Sequence, residues 1–196
     1  MIFAVGVIIM NKTIYIDFDG VIVDTQKKVN ELFRMFNYEI SDAWNYFLAN
    51  LNWKLNMLPD AKEINNSFEV LKELYKLKKD VYILSRVFSL KEAQDKIEFL
   101  RDNGIYTDFI ASPGRIEKYK VIVPNQNKIL IDDSESNIKS WIDNNGKGIY
   151  FTENKIDLEV SKKINYNGEN YYLNEDNKLY FKDSVNSLEF LLQKKL

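Results

Sequence analysis

The 196-residue chain contains no cysteine and no histidine. Those two absences remove several common chemistries. Without Cys there is no disulfide, no thiol nucleophile and no thiolate metal site. Without His there is no Ser-His-Asp triad and no imidazole-bound zinc. Catalysis would have to use carboxylates, lysine, hydroxyls or a metal held by oxygen ligands. Proline and glycine are scarce, at 3 and 7 residues, which argues against long disordered linkers. No block of like charge occurs and the formal net charge is −2, so the chain has no general attraction for nucleic acid or anionic lipid. The apolar run Met1 to Met10 (MIFAVGVIIM) is ten residues long. A membrane-crossing helix needs roughly 20, and a signal peptide needs a positive start and a cleavage site. The run reads as an extra strand, or as sequence ahead of a start at Met10. No membrane span is expected, and a cytoplasmic location follows from that.

What is present is an alternation of apolar strands and amphipathic helices. Thr13 to Ile16 (TIYI), Val81 to Leu84 (VYIL), Phe109-Ile110, Lys128 to Ile131 (KILI) and Gly148 to Phe151 (GIYF) read as strands. Asp24 to Phe36, a segment capped by Ser41, Ile64 to Leu77, Ser89 to Asn103 and Glu135 to Asn144 read as helices. Pro59 interrupts the pattern. Such alternation implies an α/β, Rossmann-like three-layer fold with a mostly parallel sheet. In that architecture ligands sit beyond the carboxyl ends of the strands. The texture changes after residue 162. Residues 163–182 alternate apolar and polar around Asn167-Gly168 and Asn174 to Asn177, as a hairpin or small meander does. Residues 184–195 read as a closing helix. The meander's tyrosines are expected to cover a sheet edge.

Polar groups follow three of the strands: Asp17-Phe18-Asp19-Gly20, Ser85-Arg86 and Asp132-Asp133. Each has a plain structural reading. Asp-Gly between alternating apolar residues is a strong hairpin signal, and Asp132-Asp133-Ser134 suits a helix cap. Together they are harder to dismiss. Two buried parallel strands would deliver acidic pairs to one rim, where carboxylates raise one another's pKa. A hard cation with oxygen ligands relieves that repulsion, and magnesium is the natural one.

These residues resemble the motifs of the haloacid dehalogenase-like (HAD) phosphohydrolases. IYIDFDGVIVDT resembles the first motif, VYILS the second, a lysine at a helix start the third, and ILIDD the fourth. Lys118 suits the third better than Lys120. The resemblance spans about residues 12 to 151. It implies Asp17 as nucleophile and Asp19 as general acid and base. It implies Asp17, Asp132 and the backbone carbonyl of Asp19 as magnesium ligands, backed by Asp133, with Ser85 and the lysine holding the phosphoryl oxygens; Arg86, next to Ser85, either touches the substrate phosphate, is a solvated charge or pairs with a carboxylate. It also implies a core formed by 1–24 and 64–196 and a small helical cap at 25–63. The presence of Asp19 favours a phosphatase over a dehalogenase, and a small phosphate monoester as substrate.

The insertion carries Phe33, Phe36, Tyr38, Trp44, Tyr46, Phe47 and Trp53. These either pack its helices together or stack a nucleobase. The small cap and the DFDGV form resemble the 5'(3')-deoxyribonucleotidase branch, so a nucleoside monophosphate is the leading substrate. The rivals are a 3'-phosphatase acting on nucleic-acid ends, which the acidic composition opposes, and an inactive binding module on the same fold.

Overall fold

The run Thr13–Ile16 forms β1 in the computed structural model, which describes residues 12–36, 42–152, 162–166, 169–173, 179–181 and 187–192. After it come β2 (Val23–Asp24), α1 (Gln26–Phe36), α2 (Asp42–Asn50), α3 (Trp53–Asn56), β3 (Lys62–Glu63) and α4 (Ser67–Lys76). The second half brings β4 (Val81–Val87), α5 (Leu90–Asp102), β5 (Asp108–Pro113), α6 (Lys118–Val121), β6 (Lys128–Asp132), α7 (Glu135–Asp143) and β7 (Lys147–Tyr150). Five of the strands make one sheet in the order β5-β4-β1-β6-β7, and every pairing in it is parallel. β1 is therefore central. The Asp-Gly hairpin reading fails for that reason, because β1 has β4 on one side and β6 on the other.

The pleat sends alternate residues of β1 to opposite faces. Ile14 and Ile16 join a large cluster with Val70, Leu71 and Leu74 of α4 and with Leu188 and Leu191. Tyr15 joins a second cluster with Ile138 and Trp141 of α7. Apolar layers on both faces explain why the strands read as unbroken apolar runs, and they make the fold α/β, Rossmann-like and three-layered. Leu48, Leu51, Trp53, Met57 and Leu58, from the inserted span, share the larger cluster with the sheet.

Several boundaries differ from the sequence expectation. β4 does not stop at Leu84 but continues to Val87, paired with β5 up to Val87 opposite Pro113. Ser85 and Arg86 thus lie within a strand rather than after it. α4 begins at Ser67, not Ile64, because Asn65 and Asn66 take left-handed backbone angles (φ 44 and 63) that no helix accommodates. Ile64 instead donates its N–H to the Ile22 carbonyl at 3.0 Å. The described part of the closing segment, Leu188–Leu192, is a 3-10 helix. Between it and the core lies the expected meander: β8 (Lys162–Tyr166), β9 (Glu169–Leu173) and β10 (Leu179–Phe181) pair antiparallel, and β10 contacts the edge strand β7. The expected strand at Met1 to Met10, the Ser41 cap and the meander's turns lie outside the described residues. Among the described residues, no helix is long and apolar enough to cross a membrane.

Candidate active site

Register brings the acidic groups together. Ile16 pairs with Ile131, so the next residues along, Asp17 and Asp132, leave adjacent strands side by side. The Asp17 N–H continues the ladder to the Ile131 carbonyl at 2.9 Å. The chain then turns sharply. Ile22 and Val23 both donate to the Phe18 carbonyl at 3.1 Å, and Gly20 donates to that of Val23 at 2.9 Å. Phe18, Val21, Ile22 and Val23 are completely buried, which anchors the turn in the core. Gly20 sits at φ +73, and a Cβ there would fall 2.1 Å from Oδ2 of Asp133. Glycine thus satisfies both the left-handed backbone and the close approach of that carboxylate.

Asp17, Asp132 and Asp133 form a group whose nearest carboxylate oxygens all lie within 4.8 Å of one another. Lys118, at the start of α6, is buried between two of them. Its ammonium is 2.8 Å from Oδ1 of Asp17 and 2.6 Å from Oδ2 of Asp132. Burial works against that ammonium, but the two carboxylates outweigh it and raise its pKa. Asp132 is held further by Ser134, whose N–H donates to Oδ1 at 2.8 Å, and by Asn137, whose Nδ2 reaches both oxygens at 3.1 Å. Burial pushes the Asp17 carboxyl up to about 7; Lys118 opposes this, while Asp132 and Asp19 reinforce it. Asp133 goes to about 8, from burial first and then from Asp17, Asp132 and Asp19. Lys120 is exposed and paired with Glu117 at 2.6 Å. Of the two candidate lysines, the fold brings Lys118 to the acidic group.

Asp19 faces a different set of partners. Thr25 Oγ1 donates to its Oδ1 at 2.7 Å, and Lys96 Nζ lies 2.6 Å from its Oδ2. Ser85, completely buried on β4, reaches Oδ2 at 3.4 Å. Arg86 points a terminal nitrogen at Oδ1 of Asn137 at 3.2 Å, while its Nε is buried without a hydrogen-bond partner. The sequence reading named all of these residues except Thr25, Lys96 and Asn137. Lys96 left one signal: Ala93, Lys96 and Leu100 recur at helical spacing and are all buried, so a lysine occupies a core-facing position. Its i, i+4 relation to Glu92 reads by default as a surface pair.

Among the aromatics of the inserted span, Trp53 is buried, Phe33 and Phe47 pack against the core, and Tyr46 is 73% exposed. Tyr38 lies outside the described residues, and Trp44 falls in the described backbone of α2. The arrangement pairs an acidic group made only of oxygen donors with a second carboxylate, Asp19, reached from the same strand end. Hard oxygen donors, buried and mutually repelling, fit a magnesium ion.

No protein-family model matches the sequence, and no curated protein matches it. Solved structures do match. A haloacid dehalogenase-like hydrolase from Bacteroides fragilis superposes with a TM-score of 0.56 at 12% identity, over 92% of this chain and 99% of that one. The HAD-hydrolase YfnB from Bacillus subtilis, solved bound to magnesium, gives 0.56 at 16% identity, over 92% and 96%. A haloacid dehalogenase-like family hydrolase from Streptococcus pneumoniae gives 0.50 at 14% identity, over 73% and 85%. The chain has the fold of the haloacid dehalogenase-like hydrolases.

Proposed function

We propose that the chain hydrolyses a small phosphate monoester with magnesium bound, through an aspartyl-phosphate formed on Asp17. The observation that carries this reading is the position of Asp17 at the end of the central strand, among Asp132, Asp133 and the buried Lys118. In the first step a carboxylate oxygen of Asp17 bonds to phosphorus and the bond to the leaving oxygen breaks. The leaving oxygen keeps the electron pair and takes a proton from Asp19. In the second step a water oxygen bonds to phosphorus and gives its proton to Asp19. The phosphorus–Asp17 bond then breaks, releasing inorganic phosphate and restoring both carboxyl groups.

Asp17, Asp132 and the backbone carbonyl of Asp19 are the ligands assigned to magnesium, with Asp133 beside them. When bound, the ion offsets their charge and draws charge from the phosphoryl oxygens. Lys118, Ser85 and Arg86 are assigned to those oxygens. A nucleoside monophosphate is the substrate class to try first. Of the aromatics assigned to stacking, Tyr46 is exposed, whereas Trp53 is buried in the core.

The test is hydrolysis of p-nitrophenyl phosphate with magnesium, with and without EDTA, by wild type and Asp17→Asn. The expected result is metal-dependent turnover that the substitution abolishes, followed by turnover of a nucleoside monophosphate. Turnover that survives in Asp17→Asn would remove Asp17 from its role and the mechanism with it.

A further inference from the structure

We propose that Lys96 is a positioning residue that holds the Asp19 carboxylate in place for proton exchange with the leaving group. This rests on the phosphatase reading above and deepens it.

Lys96 stands on α5, the helix behind β4. Ser89 caps that helix by accepting from the Glu92 N–H at 3.1 Å, and the Glu92 carboxylate turns back to the Phe88 N–H at 2.8 Å. This start aims Glu92, Ala93 and Lys96 inward, and Lys96 has no exposed surface at all. Burying an ammonium costs several kcal/mol unless it is fully paired. Here every one of its three N–H donors is accounted for. One goes to Oδ2 of Asp19 at 2.6 Å and one to Oε1 of Glu92 at 2.8 Å. The third lies 3.2 Å from both Ser85 Oγ and the Arg86 carbonyl. The Trp53 ring, 4.2 Å away, covers the ammonium, and the Phe18 ring is 5.2 Å away. A cation so enclosed has no donor left for a substrate, so it acts through the groups it holds. Of these, Asp19 has a side chain open to solvent, at 32% exposure, while that of Glu92 is at 1%.

Asp19 is thus gripped at both oxygens, by Thr25 on one and Lys96 on the other. Glu92 shares the same ammonium from within α5. Trp53 ties the same lysine to α3, and the Lys54 N–H donates to the buried Asp95 of α5 at 3.2 Å. The inserted span and the candidate acid therefore share one anchor.

The test compares two substrates. p-Nitrophenolate leaves as an anion near neutral pH, whereas an alkoxide needs a proton. General acid help is worth about 10²–10⁴-fold. Read by single-turnover release of the leaving group, which isolates the first step from the dephosphorylation that both substrates share, Lys96→Met should slow an alkyl phosphate by about 100-fold and p-nitrophenyl phosphate by no more than about fivefold. Thr25→Val, which removes no charge and should fold even where Lys96→Met does not, should discriminate in the same direction by about tenfold. Equal losses on both substrates in these variants, alongside discrimination by Asp19→Asn, would overturn the positioning role and leave the acid role of Asp19 standing. No discrimination by Asp19→Asn would overturn the acid role, and this proposal with it. No metal-dependent turnover of either substrate by wild type would overturn the phosphatase reading itself.

Discussion

Replacing Asp133 with asparagine should stabilise the metal-free protein, by an amount that grows with pH. Asp133 makes no ion pair among the described residues, and it sits half-buried near Asp17, Asp132 and Asp19. Burial, followed by those charges, holds its carboxyl at about 8 against an ordinary 3.8. A carboxyl whose folded pKa is raised keeps its proton in the folded chain and loses it in the unfolded one. Its contribution is fully present below about pH 4 and is lost as pH climbs toward 8. At about 1.4 kcal/mol per pH unit, the ceiling on that loss is about 6 kcal/mol. Local relaxation and water entry should leave about 2 kcal/mol visible. For a chain of this size that corresponds to about 4–8 °C in Tm. Asparagine keeps the shape beside Gly20 and cannot ionise. Thermal unfolding in EDTA should therefore show the variant more stable at pH 8, with the gap shrinking to about a third at pH 5. Millimolar magnesium should narrow or reverse the gap, because only the wild type keeps the Asp133 charge for the ion to offset. A gap that does not change with pH, or a variant less stable than wild type in EDTA at pH 8, would refute the reasoning.

Gly20→Ala should cost about 1–2 kcal/mol for the left-handed backbone alone. It should also weaken magnesium binding, read by calorimetry, since its Cβ would displace the Asp133 carboxylate. Lys118→Met should cost about 3–5 kcal/mol in urea unfolding, because two buried carboxylates lose their shared cation. Lys120→Met, at an exposed pair, should leave stability and turnover unchanged. Apo protein should gain more Tm from magnesium at pH 8 than at pH 6, because the ion competes with protons held on Asp17 and Asp133.

The layers of this fold were legible because burial on both faces writes itself as unbroken apolar runs. TIYI matches the first strand residue for residue. The runs also located the acidic pairs, since carboxylates directly following such strands stand out. Legibility failed where a polar residue is buried for a reason that sequence spacing does not carry. Ser85 and Arg86 ended the apolar run of β4, although the strand runs on beneath them to Val87. Ile64 fits the periodicity of α4, yet Asn65 and Asn66 turn the chain first. Lys96 was passed over for a related cause, despite its place on the apolar face with Ala93 and Leu100. A lysine four residues after a glutamate looks like a solvated pair, and only the packing of α3 and β4 around it makes the pair internal.

Seen together, the two buried ammonium groups divide the acidic site. Lys118 joins Asp17 to Asp132, and Lys96 joins Asp19 to Glu92. Each ammonium takes one carboxylate from the exit of β1 and one from another element, so the strand end is fixed from both sides. The count is five carboxylates against two ammoniums, an excess of three negative charges if all are ionised. Asp133 is the carboxylate that neither lysine reaches as an ion pair, and its own carboxyl is held the higher of the two raised ones. A cation entering beside Asp133 would offset the one carboxylate of the group that neither lysine pairs. The other side, where Thr25 and Lys96 hold Asp19, sets two carboxylates against one ammonium and fixes the Asp19 side chain at both oxygens.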